Sequence, residues 1–465
     1  MNINFDKNTR IVLIFVLAAA VLTIAQSIVT TGVVCIMDDF AVSSTIAQWT
    51  YSAFLLVVGV MIPLSAFISR RFRVKSVFLT AMGLFIIGSI IAFFSVSIEM
   101  LIFGRVIEAI GNGIIIPFVQ ILLLKMIPEE KWQIYMGVLG LVIGIAPVCG
   151  SLIGGFIIDY YTWRLIFLIL TVLAIVVTIL GLITIDVDFG TEDYPLDYLS
   201  VFLSIIGCSG VMFGFTNTAE YGLTSPLVII PIIVGIIALI FFVRRQRGLE
   251  KPLINLSILK NKYFTIGLIF ICILYFCLNG YTALVPIFVQ GVAYYSPSTS
   301  AMIIFPGALL MIFCNILAPI LVGKIGIKKV LIIACCLSII GHGSMMFYTA
   351  ETSVLTMTIT QMFRLVGAGF ALMPATTWSL TMVADKVEDG TAVNNTLRQI
   401  SAAIGSSMIT VIVALIAGGS ISHNLASVIA FNKTAFIVVI LNLIMLSIVL
   451  LFIKDKDEIN SEGTC

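Results

Sequence analysis

The chain has 465 residues, of which 60% are hydrophobic and only 10% charged, and its mean hydropathy is +1.19. That apolar content exceeds what a water-soluble core can hide and points to a membrane protein with many spans. A net charge of +2 carries no signature of nucleic-acid binding, and nine scattered cysteines without a CxxC pair imply neither a metal site nor a disulfide framework.

Lipid offers no partner to unpaired backbone groups, and the apolar runs are about 20 residues long rather than alternating segments of about ten, so the fold class is an all-α polytopic membrane protein. Cutting the runs at charge clusters and turn residues predicts fourteen helices, at 11–34, 49–69, 76–97, 101–126, 134–158, 163–185, 197–219, 227–243, 263–289, 300–322, 330–348, 353–383, 396–417 and 434–453. The first run is too long for a cleaved signal peptide and is expected to remain as a span. AEYGLTSP, 219–226, breaks one apolar stretch into spans seven and eight by a turn containing glycine and proline.

With the N-terminus inside, twenty of the 25 lysines and arginines fall on inner segments. Arg164 and Lys433 fall outside, and Arg105, Arg364 and Arg398 lie within or at the edge of spans. The positive-inside rule therefore predicts both termini in the cytoplasm. Two inner connections flank spans seven and eight. One is acidic, DVDFGTEDYPLD at 186–197; the other, 244–264, is basic, with an amphipathic stretch expected to lie on the membrane surface. The expected organisation is a six-helix half at 1–190, two inserted helices at 191–243, a cytoplasmic linker at 244–262, and a second six-helix half with a short tail at 263–465. Arg105 is followed by glycines and Pro117, and Arg364 by glycines and Pro374. Such echoes mark transporters built from repeated halves, with the substrate site at the midplane between them.

Four stretches carry a resemblance: IAPVCGSLIGGFIIDYYTWRLIFLIL at 145–170, LIFGRVIEAIGNGIIIP at 101–117, PLINLSILKNKYF at 252–264 and NNTLRQISAAIGSS at 394–407. Together they resemble the fourteen-span drug:proton antiporters of the major facilitator superfamily, the EmrB/QacA type. The resemblance implies the major facilitator fold in a bacterial cytoplasmic membrane and export of small hydrophobic or amphipathic drugs by alternating access. It further implies a monomer that uses a proton gradient and no cofactor. The sequence also departs from that family. Gln26 stands where helix one often has an acid, Ala66 and Ser69 stand at a usual glycine and acidic position, Glu108 replaces a common glutamine, and Ser151 replaces a second proline.

Arg105 and Glu108 are three apart and share one helix face, with Asn112 a turn further on. Glu108 is the only acid expected well inside a span. A buried charge in lipid is costly, so the pair is either the proton-coupling site or a static tether of helix four. In the resembled fold helices one, four, nine and twelve line the centre, which makes Gln26, Asn112, Tyr275, Asn279, Gln361, Arg364 and Trp378 the candidate cavity residues. Arg364 is open to three readings: facing Glu108 across the cavity, meeting anionic substrates, or binding backbone carbonyls. Arg398 is expected to snorkel or to pair with the acidic loop of Asp385, Glu388 and Asp389. His342 is expected in helix packing. Gly144, Pro147, Gly150, Gly154 and Gly155 place small residues and a proline along one face of helix five; the resemblance makes that face a gating motif sealing the outer side. No Walker A pattern or catalytic triad is present, so an enzyme is not expected and an ion gradient is the expected energy source. A dedicated exporter of one metabolite, lipid or antibiotic has the same motifs; a non-transporting receptor or scaffold is the rival from another class.

Overall fold

The structure, a computed structural model, describes residues 7–42, 44–187, 195–295, 297–417 and 425–454. Fourteen long helices run through the described residues: α1 (Lys7–Ile28), α2 (Ser44–Met61, continued by a 3-10 turn at Ile62–Leu64 and by Ser65–Arg71), α3 (Val74–Phe93), α4 (Ile98–Met126), α5 (Trp132–Tyr160), α6 (Trp163–Thr184), α7 (Tyr198–Thr216), α8 (Pro226–Gly248), α9 (Lys262–Gly291), α10 (Pro297–Ile325), α11 (Ile327–Met345), α12 (Val354–Thr381), α13 (Val387–Ala417) and α14 (Leu425–Phe452). All but α5 contain a described stretch long and apolar enough to cross a membrane; α5 itself has 29 residues. Polar caps set several starts by taking orphan backbone N–H groups: Ser97 accepts from Met100 N, Asn261 from Tyr263 N and Phe264 N, and Ser353 from Thr356 N.

Helices α1–α6 pack among themselves, as do α9–α14. The two groups are built in one register. Gly88 of α3 faces Glu108 N of α4, and Gly341 of α11 faces Arg364 N of α12; an added methyl would lie 2.6 Å from the backbone nitrogen in both places. Gly113 of α4 backs onto Val58 O of α2, as Gly369 of α12 backs onto Met311 O of α10. Close approach of this kind requires glycine, because any Cβ would enter the neighbouring backbone.

Helices α7 and α8 pack on each other through Gly207, Gly210, Gly214 and Gly235. Only α7 makes an extensive contact with the remainder, against α2 and α13, whereas α8 presents Ile230, Ile233, Ile237 and Phe241 outward. Asp197 at the start of α7 grips Arg245 near the end of α8 with two bonds of 2.6 and 2.8 Å. The guanidinium pulls the Asp197 carboxyl down to about 2.

Several boundaries differ from expectation. Helix α1 ends at Ile28, and a 3-10 turn leads into a separate short helix, Val33–Phe40, so the predicted span ran six residues too far. Helices α13 and α14 each begin nine residues earlier than predicted. In α13 the early start is made possible by partners for its acids: Glu388 pairs with Lys125 and Asp389 with Arg70. The linker does not lay its apolar face on lipid; Leu253, Ile254 and Ile258 are buried in the protein core. Of the acidic connection, residues 188–194 lie outside the described residues.

Candidate functional site

Counting alternate helices from α1 places Arg70, Lys125, Glu388 and Asp389 at the end of the bundle that holds both termini. There the two groups of helices are locked. Arg70 Nη2 donates to Asp389 Oδ2, Lys125 pairs with Glu388, and Asn395 Nδ2 donates to Gln120 Oε1 at 2.7 Å. The other Asp389 oxygen accepts from Asn255 N of the linker at 2.7 Å. Helix α5 completes this seal. An added methyl at Gly137 would meet Pro319 and Asn315 O of α10, one at Gly140 would meet Met373 of α12, and one at Gly144 would lie 3.3 Å from Ile312.

The small-residue face of α5 therefore divides. Gly137 and Gly140 meet the other group of helices on the termini side, and Gly144 meets it near the middle of α5. Gly150 instead packs on Ile24 O and Ser27 of α1, and Gly154 is buried. The surroundings of Pro147 and Gly155 lie outside the described residues. At the far end, Asp39 of the short helix accepts from Trp163 Nε1 at 3.1 Å and Arg164 Nη1 at 2.5 Å, and the Arg164 guanidinium holds the Asp39 carboxyl below its ordinary value.

A cavity of about 520 Å³ lies between the helix groups, toward that far end. Gln26 comes from α1; Trp49, Tyr51, Ser52, Leu55 and Leu56 from α2; Met212, Phe213, Thr216 and Asn217 from α7. Asn279, Thr282 and Ala283 of α9 and Gln399, Ala402, Ala403 and Ser406 of α13 complete the wall. No Asp, Glu, Lys, Arg or His is among these lining residues. Trp49 and Phe213 pack with tilted rings, centroids 5.7 Å apart, and four amide side chains supply both donors and acceptors.

Gln26 and Asn279 thus face the cavity, as expected, and five other expected residues are not among its walls. Asn112 is buried and donates to Leu22 O of α1 at 2.8 Å. Arg364 is buried, donating to Gln361 Oε1 at 2.8 Å and Leu278 O at 3.2 Å, so it serves a side-chain amide and one backbone carbonyl rather than facing Glu108. Trp378 lies at the termini end, donating to Lys454 O at 3.1 Å. Tyr275 sits under Arg398, whose guanidinium carbon is 5.0 Å from the ring centre, so Arg398 is not paired with the acids of α13. His342 is buried in packing, with Nδ1 2.9 Å from Ser338 O and Tyr281 edge-on to its ring. Sequence reasoning missed the contributions of α7 and α13. The signal in α13 was legible: Gln399, Ala402, Ala403 and Ser406 recur at helical spacing as one small, polar stripe.

Arg105 and Glu108 form a completely buried ion pair, with Nη1 2.5 Å from Oε2. Ser89 of α3 donates to the other Glu108 oxygen. Arg105 is gripped from α2, where Nε donates to Thr50 O at 3.2 Å and the guanidinium lies 4.1 Å above the Phe54 ring. Glu108 therefore faces α3 rather than the cavity, with Arg105 between it and α2. In the shared register of the two groups, Gln361 and Arg364 occupy the positions of Arg105 and Glu108, so the second group carries a buried cation where the first carries a carboxylate.

Comparison with known proteins adds the following. A model described as "Major Facilitator Superfamily" matches residues 15–406. YcnB, named as an MFS-type transporter of Bacillus subtilis (strain 168), is 30% identical over 414 residues, covering 88% of each chain. The lincomycin resistance protein LmrB of Listeria monocytogenes serovar 1/2a is 31% identical over 374 residues, covering 80% of this chain and 79% of that one. Among solved structures, the human organic anion transporter MFSD10 superposes with a TM-score of 0.64 at 13% identity, covering 96% of this chain and all of that one; that likeness speaks to the fold alone.

Proposed function

The chain belongs to the Major Facilitator Superfamily, a multi-pass transporter of the cell membrane and not an enzyme, and from that premise we propose that it is a proton-coupled exporter of hydrophobic and amphipathic drugs. In this reading it is of the fourteen-span EmrB/QacA type and acts as a monomer, with no cofactor and with the termini in the cytoplasm. The conformation is then outward-facing: the cytoplasmic end is latched and the cavity lies toward the outside.

The observation that carries the reading is a completely buried carboxylate, Glu108, paired with Arg105 on a helix that touches the wall of a charge-free cavity. Charged side chains inside the bilayer are costly to bury and mark functional sites, and a carboxylate that can lose its cationic partner is suited to bind and release a proton. Protonation of Glu108 frees Arg105 from its counter-charge and alters the grip of α4 on α2, which biases the exchange between outward- and inward-facing states. The cavity wall of amides and aromatic rings takes uncharged, hydrogen-bonding amphiphiles, because a permanent charge would lie there without a partner. The name of LmrB is consistent with a drug as substrate.

The test is efflux of lincomycin and of a panel of uncharged drugs from cells lacking other pumps, with and without a proton gradient, for the wild type and Glu108→Gln. Gradient-dependent efflux lost in Glu108→Gln, with normal amounts of protein in the membrane, is the expected result. Efflux unchanged by the substitution overturns the role given to Glu108. Efflux of a single compound from the whole panel would favour a dedicated exporter.

A further inference from the structure

This inference rests on the reading of the cavity as the drug site, and it concerns the class of compound taken there. Four side chains of the cavity wall have a donor tied to the preceding turn of their own helix. On α7, Asn217 Nδ2 donates to Phe213 O at 3.0 Å. On α9, Asn279 Nδ2 donates to Tyr275 O at 3.0 Å and Thr282 Oγ1 donates to Leu278 O at 2.7 Å. On α13, Ser406 Oγ donates to Ala403 O at 3.0 Å. A hydroxyl whose one hydrogen is used in this way can only accept, and an amide with its nitrogen against the helix backbone turns its oxygen the other way. Three helices therefore bring four acceptor oxygens to one cavity. Gln26 and Gln399 can offer either end of an amide, the hydroxyls of Tyr51, Ser52 and Thr216 can donate or accept, and Trp49 is the one wall side chain that can only donate.

Oxygens and aromatic rings would suit a cation as well, but Arg364 weighs against one. Leu278 O, which receives the Thr282 hydroxyl, also accepts from Arg364 Nη1 at 3.2 Å. Arg364 is buried, its other bond is to the neutral Gln361, and its Nη2 has no hydrogen-bond partner. Among the described residues it has no carboxylate partner. An uncompensated positive charge thus stands one shared carbonyl behind the α9 wall. It raises the cost of placing a second cation there and costs a neutral donor nothing.

We propose that the cavity selects neutral amphiphiles rich in O–H and N–H donors, polyhydroxylated ones above all, and that Asn217, Asn279, Thr282 and Ser406 determine this specificity. The apolar part of such a compound lies against Trp49 and Phe213, and its donors meet the four oxygens. A compound of the same shape with acceptors alone sets oxygen against oxygen and leaves those groups without partners.

Two matched pairs of probes test this: octyl glucoside against its tetra-O-methyl ether, and hexylresorcinol against its dimethyl ether. Each ether keeps its oxygens as acceptors and loses every donor. Binding to the full chain in lipid nanodiscs is measured by equilibrium dialysis below the micellar concentration, with partition into empty nanodiscs subtracted. The hydroxyl-bearing member of each pair is expected to bind about tenfold more tightly than its ether. Thr282→Val, which keeps the shape of the side chain and removes its oxygen, is expected to reduce that preference to about threefold. Asn217→Leu should reduce it likewise from α7, and it serves alone if Thr282→Val does not accumulate. Excess tetraphenylphosphonium should leave bound octyl glucoside in place. Ethers that bind as tightly as their parents, a preference untouched by the substitutions, or displacement by tetraphenylphosphonium overturns this inference while leaving the cavity as the drug site. Absence of saturable binding for all four probes overturns the cavity as the drug site, and this inference with it.

Discussion

Gly88 and Gly341 set how closely α3 approaches α4 and α11 approaches α12, and neither has room for one more carbon: an added methyl would lie 2.6 Å from the backbone nitrogen of Glu108 or of Arg364. A neighbouring side chain can rotate away, but helix backbone cannot. Gly88→Ala is therefore expected to destabilise the protein by about 1–3 kcal/mol and to lower efflux by displacing Glu108. Thermal unfolding in detergent reads the first effect, and drug accumulation the second; Gly83→Ala, with nothing within 4 Å of its added methyl, is the matched control that should change neither. At this scale the sequence was a good guide to contacts within one helix, because residues three apart in a helix must be neighbours, and Arg105 and Glu108 are. It was a poor guide to which way a polar side chain faces. Asn112, Gln361 and Arg364 look equally suited to a cavity, yet Asn112 and Arg364 are held by carbonyls of other helices and Gln361 by Arg364.

Among the elements, the α7–α8 hairpin has the clearest electrostatic signature. Asp197 is ionised more readily in the folded protein than in an unfolded chain, where a carboxyl of this type titrates near 3.9, because Arg245 holds it at about 2. A depressed carboxylate contributes stability that is fully present above the unfolded value and is lost as the pH falls through the folded one. The pair should thus support the hairpin fully above about pH 4 and progressively less down to about pH 2. The expected difference in melting temperature between the wild type and Asp197→Asn is present at pH 6 and shrinks across that window; a difference that persists at pH 2 would show that the substitution acts through something other than the ion pair. The long apolar runs made the helices legible, and the glycine and proline of the 219–226 break separated α7 from α8. Helix ends were less legible where charge was involved. Glu388 and Asp389 read as loop residues, since nothing nearby in sequence shows that Lys125 and Arg70 neutralise them from other helices.

In the whole molecule, the two groups of helices meet through charges at one end and through a cavity at the other. Removing one partner of a mostly buried pair leaves the other uncompensated, so Asp389→Ala is expected to weaken the closed termini end by at least about 1.4 kcal/mol, a tenfold shift in population. Spin labels placed on α4 and α13 at that end should report longer distances in this variant. The exchange Arg70→Asp with Asp389→Arg should bring them back; labels that do not move would mean that the remaining contacts, the Lys125–Glu388 pair, the Asn395–Gln120 bond and the packing of α5, keep this end shut without it. The resemblance read from the sequence anticipated the superfamily and the repeated halves. It did not anticipate that an inserted helix, α7, walls the cavity, because an insertion between halves has no counterpart in the repeat.

The absence of charged side chains from that wall has an electrical consequence. Under the exchange proposed above, an uncharged drug leaving for each entering proton moves net charge across the membrane, so membrane voltage as well as the pH difference would drive the cycle, at about 2.3 kcal/mol per charge for each 100 mV. Vesicles at equal pH on both sides, given only a potassium diffusion potential through valinomycin, should then transport an uncharged drug, and reversing the sign of the potential should reverse the direction of transport.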